Sequence, residues 1–85
     1  TRVRSSAASD VYKRQEYMQI GLKIAYYRKL RGLTQEQLAE RIKKTPAYIG
    51  HIEAPNIIKA MSLDTLFDIA IVLDVPAYKF LIFDD

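Results

Sequence analysis

The chain has 85 residues, 49% of them apolar and 27% charged, which is the composition of one globular domain with no room for a second core. It has no cysteine and a single histidine, so disulfides, thiolate metal sites and most acid–base catalytic arrangements are excluded, and we expect no metal or cofactor. The sequence contains no run of about 18 apolar residues, so no transmembrane helix is predicted. A domain this small and without cross-links favours local, helical packing.

Residues 1–15 differ from the rest of the chain, because they are poor in apolar side chains and show no helical or strand period. The run from Ser6 to Gln15 resembles the translated end of a sequencing-library adapter, which would make it foreign to the protein. The alternative is a flexible basic arm of the kind that enters the DNA minor groove. We expect a disordered tail over residues 1–15 and one domain over residues 16–85.

The charges of the domain are unevenly distributed. The formal net charge of the chain is +3, but residues 16–85 carry nine basic and nine acidic side chains, so the total says little about a nucleic-acid partner. Residues 23–44 contain seven basic and two acidic side chains, whereas residues 45–85 contain two basic and six acidic ones. This asymmetry favours one basic face for a polyanion, and the alternative is a solvated charge run on two helices.

Three helices are predicted in the first half of the domain. The first spans residues 17–31, with an apolar stripe at helical spacing, and Gly32 ends it. The second spans residues 35–42, where Thr34 and Gln37 have the spacing of a capping box. The third begins at Pro46 after the cap residue Thr45.

Two more helices are predicted in the second half. Ser62 caps the fourth helix, and its apolar residues cover so much of its surface that we expect it to be largely buried: Leu63, Leu66, Phe67, Ala70, Ile71 and Leu73. Val75 and Pro76 end it, and a short last helix is predicted over residues 77–83. The fold class is therefore all-α, a compact domain of five helices.

The run QEQLAERIKKTPAYIGHIE, residues 35–53, places two short helices around a turn. The small Ala39 allows the helices to cross closely, and the N-terminus of the second helix of the pair then projects from the domain. This arrangement is a helix-turn-helix, with residues 45–53 as the recognition helix.

The chain resembles the lambda-repressor-like helix-turn-helix family, the Cro or xenobiotic-response-element type, in three successive segments: RKLRGLTQEQLAERI, TPAYIGHIE and SLDTLFDIAIVLDVPAYKFL. The resemblance covers about residues 18–83. It implies a bacterial-type, cytoplasmic, nucleoid-associated protein that binds double-stranded DNA as a transcription regulator, usually a repressor and usually a dimer on its operator.

The resemblance also implies roles for individual residues. Gln35 matches a position that contacts a phosphate, Thr45 matches a cap near the DNA backbone, and Arg28 and Glu53 match a partly buried ion pair. Pro46, Ala47, Gly50 and His51 match exposed positions that face base edges. The full set of DNA-binding candidates is Gln35, Lys43, Lys44, Thr45, Pro46, Ala47, Tyr48, Gly50, His51 and Lys59.

The chain departs from the family pattern in its loops and on its recognition helix. Lys43 stands where a glycine is usual, so we expect it to hold a positive φ or to reshape the turn. Pro46, Ala47 and Gly50 carry no side-chain donors, which leaves Tyr48 and His51 for hydrogen bonds to bases and predicts a strong reliance on phosphate contacts and DNA shape. Gly50 is explained either by a close approach of backbone to ligand or by simple tolerance.

The alternatives to DNA binding are an enzyme and a protein-interaction module. An enzyme is not expected, because the sequence has no catalytic triad, phosphate loop or metal spacing. An antitoxin or coactivator-like protein-interaction module on the same fold is the main alternative. The last helix bears on it, because a helix of seven residues cannot easily bury all its large apolar side chains, and we expect them to form a homodimer interface: Tyr78, Phe80, Leu81 and Phe83.

Overall fold

The computed structural model of the protein describes residues 6–57 and 59–83, with side chains from residue 14 onward. Four α-helices are followed by a 3₁₀ helix: α1 Ser6–Leu30, α2 Gln35–Arg41, α3 Pro46–Glu53, α4 Leu63–Leu73, and the 3₁₀ helix Ala77–Leu81. The described residues contain no strand, so the all-α prediction is confirmed. None of the helices in this part of the chain is both long and apolar enough to cross a membrane.

Helix α1 begins at Ser6, eleven residues earlier than predicted. Residues 6–15, which we expected to be disordered, belong to the helix, and residues 1–5 of the expected tail lie outside the described residues. The prediction was based on apolar periodicity. A periodic apolar stripe indicates that one face of a helix is buried, but a helix can form without such a stripe. Neither glycine nor proline occurs between residues 6 and 20, so the sequence offers no residue that would end the helix.

Helix α1 ends at Leu30, one residue before its predicted end, and Gly32 stops it as predicted. This glycine has a φ of 74°, the left-handed conformation that glycine adopts without a Cβ penalty. The Gly32 N–H donates to the Lys29 carbonyl and the Leu33 N–H donates to the Arg28 carbonyl, at 3.0 and 3.1 Å. These two bonds form a Schellman motif, and they turn the chain sharply into α2.

The predicted starts of α2 and α3 are also confirmed. The Thr34 hydroxyl accepts a hydrogen bond from the Gln37 N–H at 3.0 Å, and the Gln37 side chain accepts one from the Thr34 N–H at 2.9 Å. The Thr45 hydroxyl accepts from the Tyr48 N–H at 3.1 Å, directly before Pro46 in the first turn of α3. Each cap satisfies an N–H that the helix itself cannot satisfy, which fixes where both short helices begin.

Helix α4 has the predicted cap, since the Ser62 hydroxyl accepts from the Thr65 N–H at 3.2 Å, but its predicted burial is wrong in part. Leu63, Phe67 and Ile71 are 60%, 46% and 76% exposed. They stand four residues apart on one side of the helix, while the opposite side, including Leu66 and Leu73, is buried. The domain therefore covers one face of α4 and leaves the other in solvent.

The predicted last helix is a 3₁₀ helix and ends at Leu81, two residues earlier than expected. Its position corrects the proposed dimer interface, because Phe80 is fully buried and packs edge-to-face on Tyr27, with ring centroids 5.5 Å apart. Phe83 is half-buried, and the Lys23 ammonium lies 5.3 Å from its ring centroid. Tyr78 and Leu81 are exposed, as is Ile82, which the sequence had not singled out.

One core joins all five elements. Its fully buried side chains come from α1, α2, α3, α4 and the 3₁₀ helix, and the largest are Ile24, Leu38, Ile49, Leu66, Ile69, Leu73 and Phe80. Helix α2 packs most extensively against α3, and α1 packs against α3, α4 and the 3₁₀ helix. The two helices of the turn are therefore held on a base formed by α1 and α4.

Helices α1 and α3 are in close backbone contact at Gly21, a residue that the sequence did not single out. A Cβ on Gly21 would lie far inside van der Waals contact with the carbonyl oxygen of Ile52. The obstructing atom belongs to the backbone of α3 and cannot rotate away. Any side chain at position 21 must therefore push α3 off α1.

We expect Gly21→Ala to lower the free energy of unfolding by about 3 kcal/mol, the upper part of the usual range for overpacking, because both sides of the contact are helix backbone. Gly50→Ala is the matched control. A Cβ at Gly50 would lie 3.6 Å from the Gln35 side-chain oxygen, an ordinary contact, so alanine should raise stability by about 0.5–1 kcal/mol through its higher helix propensity. Urea unfolding of both variants measures the two changes, and equal effects would contradict this account of the α1–α3 contact.

Candidate nucleic-acid interface

A buried ion pair holds the start of the interface in place. The Arg28 guanidinium donates to both carboxylate oxygens of Glu53, from Nε at 2.6 Å and from Nη2 at 2.9 Å. Its third nitrogen, Nη1, donates to the Leu33 carbonyl at 2.7 Å. The side chains of Arg28 and Glu53 are 8% and 6% exposed, so the structure brings together the pair that the family resemblance implies. The end of α3 is thereby fixed to α1 and to the chain that enters α2.

Gln35 belongs to this network. Its side-chain amide donates to the Glu53 carboxylate at 3.0 Å and is partly buried. The resemblance implies a phosphate contact for Gln35, but in this structure the amide N–H₂ group is directed at Glu53. A carboxylate that receives three charge-assisted hydrogen bonds is well compensated for its burial, so Gln35 contributes to the position of α3.

Two of the seven basic side chains between residues 23 and 44 are used inside the protein. Arg28 neutralises Glu53. Arg31 donates to the Leu73 and Asp74 carbonyls at 2.6 and 3.1 Å and thus supplies a cation to the C-terminus of α4, whose own last turn contains none. The basic half of the sequence therefore offers fewer positive charges to a partner than its number of basic residues suggests.

Four exposed cations remain around the helix pair. Arg41 ends α2, Lys43 and Lys44 form the turn, and Lys59 lies in the connection between α3 and α4. They come from three separate segments, and no counter-carboxylate within 4 Å was found for any of them among the described residues. Such a cluster favours a polyanionic partner.

Of the two expectations for the turn, a positive φ at Lys43 or a reshaped turn, the positive φ is observed. Lys43 has a φ of 61°, and the Lys44 N–H donates to the Ala39 carbonyl at 2.9 Å, which makes this turn a second Schellman motif. A non-glycine residue in this conformation costs about 1 kcal/mol. The turn therefore holds a positive φ at a residue other than glycine, and the Lys43 side chain is exposed to solvent.

Helix α3 has one buried and one accessible side. Ile49 and Ile52 are buried with Glu53, as predicted, whereas the candidate base-facing residues are accessible. Pro46, Ala47 and His51 are exposed, and Tyr48 and Gly50 are partly exposed. Nothing in the fold requires a glycine at position 50, since a Cβ there meets only a side-chain oxygen at 3.6 Å. The space in front of Gly50 thus remains open to a ligand.

A contact that the sequence did not suggest joins the turn, α3 and the following loop. The ammonium groups of Lys44 and Lys59 lie 5.3 and 5.5 Å from the centroid of the Tyr48 ring. Lys59 stands eleven residues after Tyr48 in an irregular segment, so no periodicity could have paired them.

The described residues contain no group of three or more potential metal ligands.

A comparison with known families matches a family model described as helix-turn-helix to residues 24–80, two thirds of the chain. The match begins within α1 and ends in the 3₁₀ helix, so it includes the complete helix pair and the ion pair. A comparison with curated proteins found no match.

We expect Glu53→Ala and Arg28→Ala each to lower the free energy of unfolding by about 3 kcal/mol, because each leaves a buried charge without its partner. The double variant should lose much less than the sum, since it removes both charges. Arg28→Lys keeps the charge but loses the planar fork, so it should remain destabilised. Urea unfolding of the four proteins gives the coupling energy, and a value near zero would show that the pair contributes nothing.

Proposed function

This chain belongs to the helix-turn-helix family of DNA-binding transcription regulators, and we propose that it is a repressor that binds specific sequences in double-stranded DNA. Residues 45–53, which contain α3, enter the major groove. The observation that carries this proposal is the two-sided character of α3. One side is held in the core and by the Glu53 network, and the other side is accessible and bordered by exposed lysines.

The accessible side of α3 supports a particular balance of contacts. Pro46, Ala47 and Gly50 offer no side-chain donors, and His51 is the only exposed side chain of α3 that can donate a hydrogen bond to a base. Arginine and glutamine, which make bidentate contacts with guanine and adenine, are absent from α3. We therefore expect weak direct readout, in which phosphate contacts and DNA shape supply much of the affinity.

The first experiment is a selection of bound sequences from random duplex DNA at two salt concentrations. We expect a preferred sequence at both concentrations, with affinity that falls steeply as salt increases, because lysine–phosphate contacts release counterions. Binding without any sequence preference would contradict specific recognition. Failure to bind any duplex would overturn the proposed function.

Lys43 allows stability and DNA affinity to be changed in opposite directions. We expect Lys43→Gly to raise the free energy of unfolding by about 1 kcal/mol, because it relieves the positive φ, and to lower DNA affinity, because it removes a cation. The slope of log K against log salt should fall by about 0.9. Lys43→Asn is the control, since asparagine tolerates this φ but has no charge. An unchanged slope in both variants would place Lys43 away from the DNA backbone.

We also propose that the protein binds its operator as a homodimer, which would place two recognition helices about 34 Å apart. The buried Phe80 cannot contribute, so the proposed interface is the exposed part of the C-terminal segment, Tyr78 and Leu81 with Ile82.

We expect the double variant Tyr78→Ser, Leu81→Ser to sediment as a monomer at micromolar concentration and to lose affinity for a two-site duplex. Leu63→Ser is the matched control, because Leu63 is equally exposed but lies on α4. If the unmodified protein is a monomer with and without DNA, the dimer proposal is wrong. The alternative, a protein-interaction module on the same fold that binds another protein, is then favoured.

A further inference from the structure

Two lysine side chains from separate segments share one aromatic ring at the edge of α3. Lys44 precedes the α3 cap and Lys59 lies in the loop that leads to α4, yet both ammonium groups lie within 5.5 Å of the Tyr48 ring centroid. Both distances fall inside the range of about 6 Å over which a cation is attracted to an aromatic ring. Both positive charges therefore lie beside the same aromatic ring.

The position of the ring is set by the fold. Tyr48 is half-buried against the hydrophobic core, and its N–H is bound by the Thr45 hydroxyl at 3.1 Å. The backbone of Lys44 is fixed as well, by its hydrogen bond to the Ala39 carbonyl. Lys59 itself lies outside the helices, and its ammonium group lies 5.5 Å from the ring centroid.

The two ammonium groups beside this ring carry like charges, so they repel each other. Among the described residues, no carboxylate lies within 4 Å of either ammonium. The first turn of α3 adds the partial positive charge of its N-terminus beside Tyr48. An anion placed between the two lysines would relieve the repulsion, and a phosphate oxygen matches an ammonium donor in charge and hydrogen bonding.

We propose that Lys44, Tyr48 and Lys59 form a single site for one phosphate of the DNA backbone. The lysines contact the phosphate, and Tyr48 is a positioning residue whose ring holds both ammonium groups in place. This inference rests on the proposed DNA binding and deepens it, because it gives Tyr48 a role in phosphate binding in place of the base hydrogen bond that the sequence suggested. It also ties the loop around Lys59 to the recognition helix.

The first test counts phosphates. The slope of log K against log salt on a random-sequence duplex decreases by about 0.9 for each phosphate contact that is lost. If Lys44 and Lys59 hold the same phosphate, the double variant Lys44→Ala, Lys59→Ala loses about 0.9 in total. Two independent contacts would lose about 1.8, and that result overturns the shared site. The control is Lys43→Asn combined with Lys44→Ala, whose two losses should add.

The second test separates the ring of Tyr48 from its hydroxyl. Tyr48→Phe keeps the aromatic face, so its slope and its affinity for both random and selected duplexes should be unchanged. Tyr48→Leu keeps an apolar side chain but loses the ring, and its slope should fall although no charge is removed. Little further change should follow when Tyr48→Leu is added to the double lysine variant. Loss of affinity in Tyr48→Phe for the selected duplex alone would show base reading and overturn the inference.

Titration with inorganic phosphate, followed by amide NMR shifts, makes the test independent of duplex binding. We expect shifts near residues 44, 48 and 59 in the unmodified protein and in Tyr48→Phe, and much smaller ones in Tyr48→Leu. Duplex binding with an unchanged slope in both Tyr48→Leu and the double lysine variant would overturn the phosphate site and leave the proposed function standing. Amide NMR shifts on addition of phosphate, without binding of any duplex, would overturn the proposed function and leave the anion site.

Discussion

The Arg28–Glu53 ion pair is the interaction on which the rest of the interface depends. It joins the last turn of α1 to the last residue of α3, with both carboxylate oxygens and three guanidinium nitrogens in hydrogen bonds. Because the pair is buried, loss of either partner leaves a charge that the interior cannot solvate. The planar geometry of the guanidinium sets a direction as well as a distance, so the pair fixes how the accessible side of α3 is presented.

The contact between Gly21 and the Ile52 carbonyl supplies a second constraint on the same pair of helices. It sets the separation of α1 and α3 through backbone atoms, whereas the ion pair sets their relative orientation through side chains. Only a residue without Cβ allows this separation. The ion pair can reach its short distances because the helices lie this close, so the two constraints support each other along α1.

The basic side chains of the domain are used in different ways. Arg28 and Arg31 donate hydrogen bonds to other groups of the domain, whereas Lys43, Lys44 and Lys59 are exposed around the turn and Tyr48. These basic residues therefore form two groups, one that holds helices in place and one that stays available to a polyanion. A count of charges along the sequence cannot separate these groups, because both contain the same residue types.

The sequence by itself determined the elements whose causes are local. Thr34, Thr45 and Ser62 accept the N–H groups predicted for helix caps, and Gly32 ends α1, because each depends on neighbours within about four residues. Only the tertiary structure decided the burial of Phe80 and the exposure of the Leu63 side of α4. It likewise decided the need for glycine at position 21 and the meeting of Lys44 and Lys59 on Tyr48. These outcomes depend on which segments approach each other across the core, a long-range property that helical periodicity and residue type do not contain.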